Sequence, residues 1–227
     1  MRTVLPSGTP VEVVRPVGPA RVGIVLVPDI WGLRPLFDDH AARLSRTARA
    51  AVAVMEPFPG PALPMTLEAR LEALRARPDT AVRRDLTEAA ALVGVRPVVV
   101  LGFCMGGMEA LKAASIGCFD LAVSCYGMIR VPETWRADGR AEPLEALDTP
   151  GRSPVLAFVG GRDPFTPADD VARLVGLPDT TVVTYPAAEH GFAHDPSRAS
   201  HRPADAADLW ARVLRAVTDC VARAPRA

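Results

Sequence analysis

The chain has 227 residues, with 26 basic side chains set against 26 acidic ones and an apolar share of 49 %. That length and composition can bury a substantial core, and one domain spanning residues 1–227 is expected. Zero net charge offers no electrostatic footprint for nucleic acid or an anionic membrane surface, so neither is expected as a partner.

Nearly all the cationic charge is arginine, with Lys112 the single lysine, and the arginines are scattered among acids and alanines rather than gathered in a patch. The cysteines, Cys104, Cys118, Cys125 and Cys220, match no zinc-ligand spacing, CxxC pair or small disulfide framework. The first residues, MRTVLPSGTPVEVV, lack the apolar core of a secretory signal, and the apolar runs are too short to span a bilayer. A soluble, reducing, cytoplasmic setting is expected.

Short strand-like runs alternate with longer helical ones. TPVEVVRP alternates and reads as an edge strand, while RVGIVLVPD is a continuous apolar run, as in a strand buried on both faces. Helical spacing covers Leu36 to Ala50, and AAVAVMEP returns to strand character until Pro57, Pro59 and Pro61 stop it. Two helices are expected over Leu67–Arg77 and Asp79–Val93, broken at Pro78. PVVVLG is a buried strand, Met105 to Ile116 a helix, and DLAVSCYG a further strand.

The stretch from Met128 to Ser153 is long for a plain connection and could border a site. PVLAFVGG, a helix over Pro167–Val175 and TTVVTYP form another strand–helix–strand unit, and a last helix covers Ala204 to Ala222. The alternation implies an α/β fold, a mostly parallel sheet with helices on both faces.

In such a sheet, ligands bind beyond the carboxyl ends of the strands. Asp29, Cys104, Asp163 and His190 all fall just after expected strands. Cys104, Asp163 and His190 follow one another as nucleophile, acid and histidine, the chain order of α/β-hydrolases. Gly102 and Gly106 flank the thiol, as a sharp strand-to-helix turn with close backbone approach requires. The positive end of the following helix would favour a thiolate there, and the Met105 N–H on its first turn would be free to donate to a developing oxyanion. A second donor is expected from the loop after GIVLVPD, at Ile30.

Each residue has a plainer alternative. A cysteine in an apolar stretch can be a small buried hydrophobe. Asp163 precedes Pro164 and could simply open a turn, and Asp29 could cap a turn or a helix. Asp169 and Asp170 read as first-turn helix acids. His190, in a glycine-containing loop directly after a strand, is the stronger base candidate and His194 the second. His40 falls within a helix and His201 just ahead of the last one.

GFCMGG, GGRDPFTP, YPAAEHGF and VLVPDIWGL together resemble the dienelactone hydrolase family of the α/β-hydrolase fold, over nearly the whole chain from Arg21 to the last helix. The resemblance implies Cys104 as nucleophile, His190 as base, Asp163 as the acid orienting it, and Ile30 and Met105 as oxyanion-hole donors. It also implies hydrolysis of a small-molecule ester or lactone through a thioacyl-enzyme, with no metal and no organic cofactor. Nothing in the pattern chooses between monomer and homodimer.

The chain departs from the family pattern in two ways. The family's glutamate after the early strand, which modulates the resting cysteine, is here Asp29, one methylene shorter. Two arginines that grip a substrate carboxylate are missing, one from EPFPGPAL and one at position 194, where a histidine stands. A substrate other than a classical dienelactone is therefore expected, unless Arg34, Arg162 or Arg198 compensates. Trp31, Phe58, Phe103, Tyr126, Phe192 and His194 are candidate substrate contacts, with Trp135 as a cap. The competing readings are a non-catalytic small-molecule binder of the same fold, a metal-dependent hydrolase using His190 and His194, and a redox-sensing thiol protein.

Overall fold

Six-residue runs of small and β-branched residues become the buried centre of the sheet. The chain is described here by a computed structural model covering residues 1–224. Its strands are β1 (Arg2–Val4), β2 (Pro10–Val14), β3 (Val22–Val27), β4 (Ala50–Met55), β5 (Val98–Phe103), β6 (Leu121–Cys125), β7 (Val155–Gly160) and β8 (Thr180–Tyr185). They form one sheet in the order β1-β2-β4-β3-β5-β6-β7-β8. β2 runs antiparallel to β1 and β4, and all remaining pairs are parallel. Every residue of β3, β4 and β5 is buried, as continuous apolar runs covered on both faces require.

Side chains alternate between two cores. Ile24 and Leu26 pack with Phe37 and Leu44 of α1 (Pro35–Ala48) and with Leu209, Trp210 and Val213 of α7 (Pro203–Arg223). Val25 and Val27 pack on the opposite face with Leu86 and Val93 of α3 (Asp79–Val93). Between them in the chain come α2 (Leu67–Arg75), α4 (Met105–Ala113), α5 (Pro143–Leu147) and α6 (Ala168–Val175).

The differences from the sequence reading are local. TPVEVVRP is not the sheet edge, because β1 pairs outside it; a three-residue strand is too short for alternation to reveal it. The long stretch after β6 holds a 3₁₀ turn at Glu133–Trp135 and the short α5. Trp135 is buried there rather than placed as an open cap.

Register brings Val27 beside Gly102, Phe103 beside Cys125 and Gly160 beside Tyr185, so the parallel strands end along one edge. Between β5 and α4 lies a single residue, Cys104, with φ 56° and ψ −119°. The turn is tight enough that a Cβ on Gly102 would lie 1.9 Å from the Gly106 carbonyl oxygen. One on Gly106 would lie 2.2 Å from the Val27 carbonyl oxygen. Gly106→Ala is therefore expected to cost about 3 kcal/mol or more of unfolding free energy, measured by urea denaturation, because backbone rather than a yielding side chain stands in the way. An unchanged midpoint would contradict this packing.

Candidate active site

Three loops at the carboxyl edge bring the expected residues together. Cys104 is 8 % exposed; its amide donates to the Cys125 carbonyl at 3.0 Å and its carbonyl accepts from Met108 N at 3.0 Å, which locks the turn into both strand and helix. Asp163 follows β7 and His190 follows β8. The Nδ1 of His190 lies 2.8 Å from Asp163 Oδ2, while Asp163 Oδ1 accepts the Phe165 amide at 2.9 Å. Both carboxylate oxygens are thus occupied, and the carboxylate can hold the ring in one tautomer.

The remaining ring nitrogen, His190 Nε2, is buried and makes no hydrogen bond of regular geometry. Burial alone would lower the affinity of this ring for a proton. The neighbouring Cys104 and Asp163 outweigh burial, and the imidazole is pushed up to about 10. Two aromatic rings meet the imidazole edge-to-face, Phe165 at 4.9 Å and Tyr126 at 5.5 Å between centroids.

The Ile30 and Met105 amides have no acceptor among the described residues. Met105 is the first residue of α4, where a helix leaves its amides unpaired. In the turn after β3, Trp31 N donates to Asp29 Oδ1 and Gly32 N to the Asp29 carbonyl, each at 3.0 Å. Ile30 N is left over.

Asp29 does not reach Cys104 by any hydrogen bond. Its Oδ1 takes Arg34 Nη1 at 2.5 Å as well as Trp31 N, and its Oδ2 takes Arg34 Nη2 at 2.9 Å and His194 Nε2 at 2.8 Å. Burial would raise this carboxyl, but the hydrogen bonds from His194 and Arg34 and the charge of Arg34 hold it well below the usual carboxylate range. His194 is 0 % exposed, and burial pushes its proton affinity down. Its partners fix it as a neutral ring, with Nε2–H donating to Asp29 and Nδ1 accepting from the Tyr126 hydroxyl at 2.7 Å. A fully enclosed His194 is neither a substrate contact nor an alternative base, and its ring and that of His190 turn to different acids.

The expected aromatic lining is mostly core. Phe103, Tyr126 and Phe192 are fully buried; Phe103 packs against Tyr126 at 6.1 Å and Trp210 at 5.6 Å, and Tyr126 against Phe192 at 5.3 Å. Phe103 is the last residue of β5, yet its ring points to the sheet face under α7 rather than beyond the strand end. Trp31 is half-buried. Phe58 borders a hollow of about 420 Å³ together with Leu33, Glu56, Leu63, Met65 and Arg70.

Two residues escaped the sequence reading. Phe165 is 42 % exposed over the His190 ring, and its signal was its place two residues after the acid, where its amide caps Asp163. Arg70 is 7 % exposed on α2, four residues before the buried Leu74, so a charge occupies the core-facing stripe. Its guanidinium stands 5.5 Å from the Phe58 centroid and donates to the Met65 sulfur at 3.1 Å. Its Nε is unpartnered and it forms no ion pair among the described residues. Both Glu56 oxygens in that hollow are taken by the Phe58 and Leu33 amides at 2.9 Å. Of the other arginines, Arg34 is committed to Asp29, while Arg162 and Arg198 flank His190 in an open groove of about 650 Å³.

Among the described residues no group of three or more His, Cys, Asp or Glu side chains is arranged to hold a metal ion, and no helix is long and apolar enough to cross a membrane. This sheet order, with an elbow after β5, an acid after β7 and a histidine after β8, defines an α/β-hydrolase. A Klebsiella pneumoniae structure assigned as a dienelactone hydrolase has the same fold, with a TM-score of 0.82 at 23 % identity over 99 % of this chain and 98 % of that one. The model of the dienelactone hydrolase family matches residues 10–220. The chain belongs to that family and is a hydrolase of the ester or lactone class.

Among curated relatives, a Bradyrhizobium protein described as a probable 2-oxo-3-(5-oxofuran-2-ylidene)propanoate lactonase is 26 % identical over 88 % of this chain and 85 % of its own. A Synechocystis protein assigned as a carboxymethylenebutenolidase is 27 % identical over 84 % of this chain and 82 % of its own.

His190 is predicted to titrate near pH 10 rather than near 6.5 in the resting protein. Replacing Cys104 with alanine removes a group that favours the imidazolium, so the variant's titration should move down. The imidazole Hε1 resonance followed by NMR reads both, and a wild-type midpoint near that of a free histidine would contradict the assignment.

Proposed function

We propose that the chain hydrolyses a small-molecule lactone or carboxylic ester by acyl transfer to Cys104. The observation that carries this reading is the Asp163–His190 pair, whose Nε2, without a partner of regular geometry, stands beside the Cys104 sulfur held at the strained β5–α4 turn. Cys104 passes its proton to His190 Nε2, and the thiolate adds to the ester carbonyl while the Ile30 and Met105 amides receive the oxyanion. As the tetrahedral species collapses, the carbon–oxygen bond breaks and His190 Nε2–H protonates the departing alkoxide. In a lactone that alcohol stays attached to the acyl group. His190, now neutral, takes a proton from water, the hydroxide adds to the thioester, and the carbon–sulfur bond breaks to release the acid. Asp163 stabilises the imidazolium at each stage through Nδ1–H.

Arg70 extends the reading to the substrate. Arg70 is nine-tenths buried and forms no ion pair among the described residues, the Glu56 carboxylate in the same hollow being taken by two amides, and a carboxylate arriving with the ligand would give it charge-assisted hydrogen bonds. The Bradyrhizobium relative's described substrate is a propanoate. Arg70 therefore supplies, from α2, the carboxylate recognition that EPFPGPAL and position 194 lack.

Cys104→Ala is expected to lower kcat/KM on aryl acetates by about 10³-fold or more. Undiminished turnover in the variant would contradict acyl transfer to Cys104, whereas a wild type with no turnover on any ester or lactone and a ligand that still raises its melting temperature would favour the non-catalytic reading. Burial pushes the Cys118, Cys125 and Cys220 thiols up, so iodoacetamide should label Cys104 first; equal labelling would count against an activated sulfur. Arg70→Met should reduce kcat/KM about 10- to 100-fold for esters bearing a free carboxylate and spare neutral ones. Equal losses on both would contradict the substrate assignment.

A further inference from the structure

Asp29 lies one residue before an oxyanion-hole donor, yet nothing in the acyl-transfer steps uses it. It is 1 % exposed and accepts four hydrogen bonds, two to each oxygen, so it has no lone pair directed at the Cys104 sulfur. Those bonds have one geometric result. Within the turn, the Trp31 amide is drawn to the Asp29 side chain, the Gly32 amide to the Asp29 carbonyl and the Leu33 amide to Glu56. Of the four consecutive amides Ile30 to Leu33, only that of Ile30 has no acceptor among the described residues.

The same carboxylate is held from two directions. Arg34 stands immediately before α1, its carbonyl accepting the Phe37 amide at 2.8 Å, and clamps Asp29 with both terminal nitrogens. His194, 165 residues further along the chain, comes from the loop that carries His190. Its carbonyl accepts His40 Nε2–H at 2.8 Å from α1, and its Nδ1 accepts the hydroxyl of Tyr126, whose ring packs edge-on against His190. Burial pushes His40 down to about 4 and lowers His194 as well, so both rings stay neutral at ordinary pH and the links are constant.

Building on the acyl-transfer reading, we propose that Asp29 and His194 are positioning residues for the oxyanion hole. Asp29 shapes the Asp29–Gly32 turn so that Ile30 N–H meets the developing oxyanion, and His194 fixes that turn relative to the loop bearing the base. Neither touches the reacting atoms, and neither activates the sulfur.

The test separates sulfur reactivity from oxyanion stabilisation. Asp29→Asn, His194→Leu and His194→Gln are compared with the wild type in kcat and KM on an aryl acetate. Two further readouts are the alkylation rate of Cys104 by iodoacetamide and the affinity for an aryl trifluoromethyl ketone, whose tetrahedral adduct places an oxyanion in the hole. Asp29→Asn and His194→Leu should each lower kcat about 10- to 100-fold, less than the loss of an entire donor, with KM little changed. Ketone affinity should fall in parallel and alkylation by less than about threefold. His194→Gln, which keeps an N–H for Asp29, should recover part of the loss, and as the mildest change it remains informative if the others fold poorly.

Alkylation that falls as far as kcat would overturn the inference, because Asp29 would then be acting through the thiol. Unchanged kcat in Asp29→Asn and His194→Leu, or no recovery in His194→Gln, would overturn it equally. Failure of iodoacetamide to inactivate the wild type would instead sink the acyl-transfer reading, and this inference with it.

Discussion

The backbone at Cys104 cannot relax, and the geometry of the site follows from that constraint. A side chain at φ 56° and ψ −119° occupies a region that costs about 1–3 kcal/mol for any residue with a Cβ. The conformation persists because Cys104 is hydrogen-bonded on one side to the Cys125 carbonyl of β6 and on the other into α4. Gly102 and Gly106 let α4 lie directly against the ends of β5 and β3. The same contact sets the sulfur, the Met105 amide and the loop holding Ile30 in a fixed relation. Packing of the sheet core against the first turn of α4 is therefore what fixes this geometry.

Around that turn the fold places two histidine–aspartate pairs of opposite character. In the pair after β7 and β8, Asp163 and the neighbouring Cys104 sulfur overcome burial and raise His190, whose second nitrogen has no partner of regular geometry and stands beside that sulfur. In the pair behind it, His194 is enclosed, lowered by burial, and bonded at both nitrogens. The two pairs share residue types and bond lengths and differ in what faces the second nitrogen. An open nitrogen beside sulfur suits proton transfer; a nitrogen closed by a tyrosine hydroxyl suits holding loops together.

Most of the architecture was legible because strands buried on both faces write themselves as unbroken apolar runs, and helices as stripes of period 3.6. The placement of Cys104, Asp163 and His190 at one sheet edge was legible for a related reason: each follows such a run, and the order of three strand ends along one sheet edge is a property of the chain. What the sequence hid were choices made only by three-dimensional packing. No periodicity connects Asp29 to His194, so these two of the positions where the chain departs from the family pattern gave no sign of being hydrogen-bonded to each other. Phe103, Tyr126 and Phe192 stood near reactive residues in sequence, but their rings turn into the core beneath α1 and α7. Arg70 was visible only as one arginine among many until α2 was seen to bury it.

The most direct test of this account is chemical rather than kinetic. Wild-type protein mixed with an excess of an aryl ester and quenched in acid within the first turnover should carry the acyl mass on the peptide containing Cys104, as a thioester that hydroxylamine removes. Turnover with no acyl group on that peptide, or with the acyl group on another residue, would contradict it.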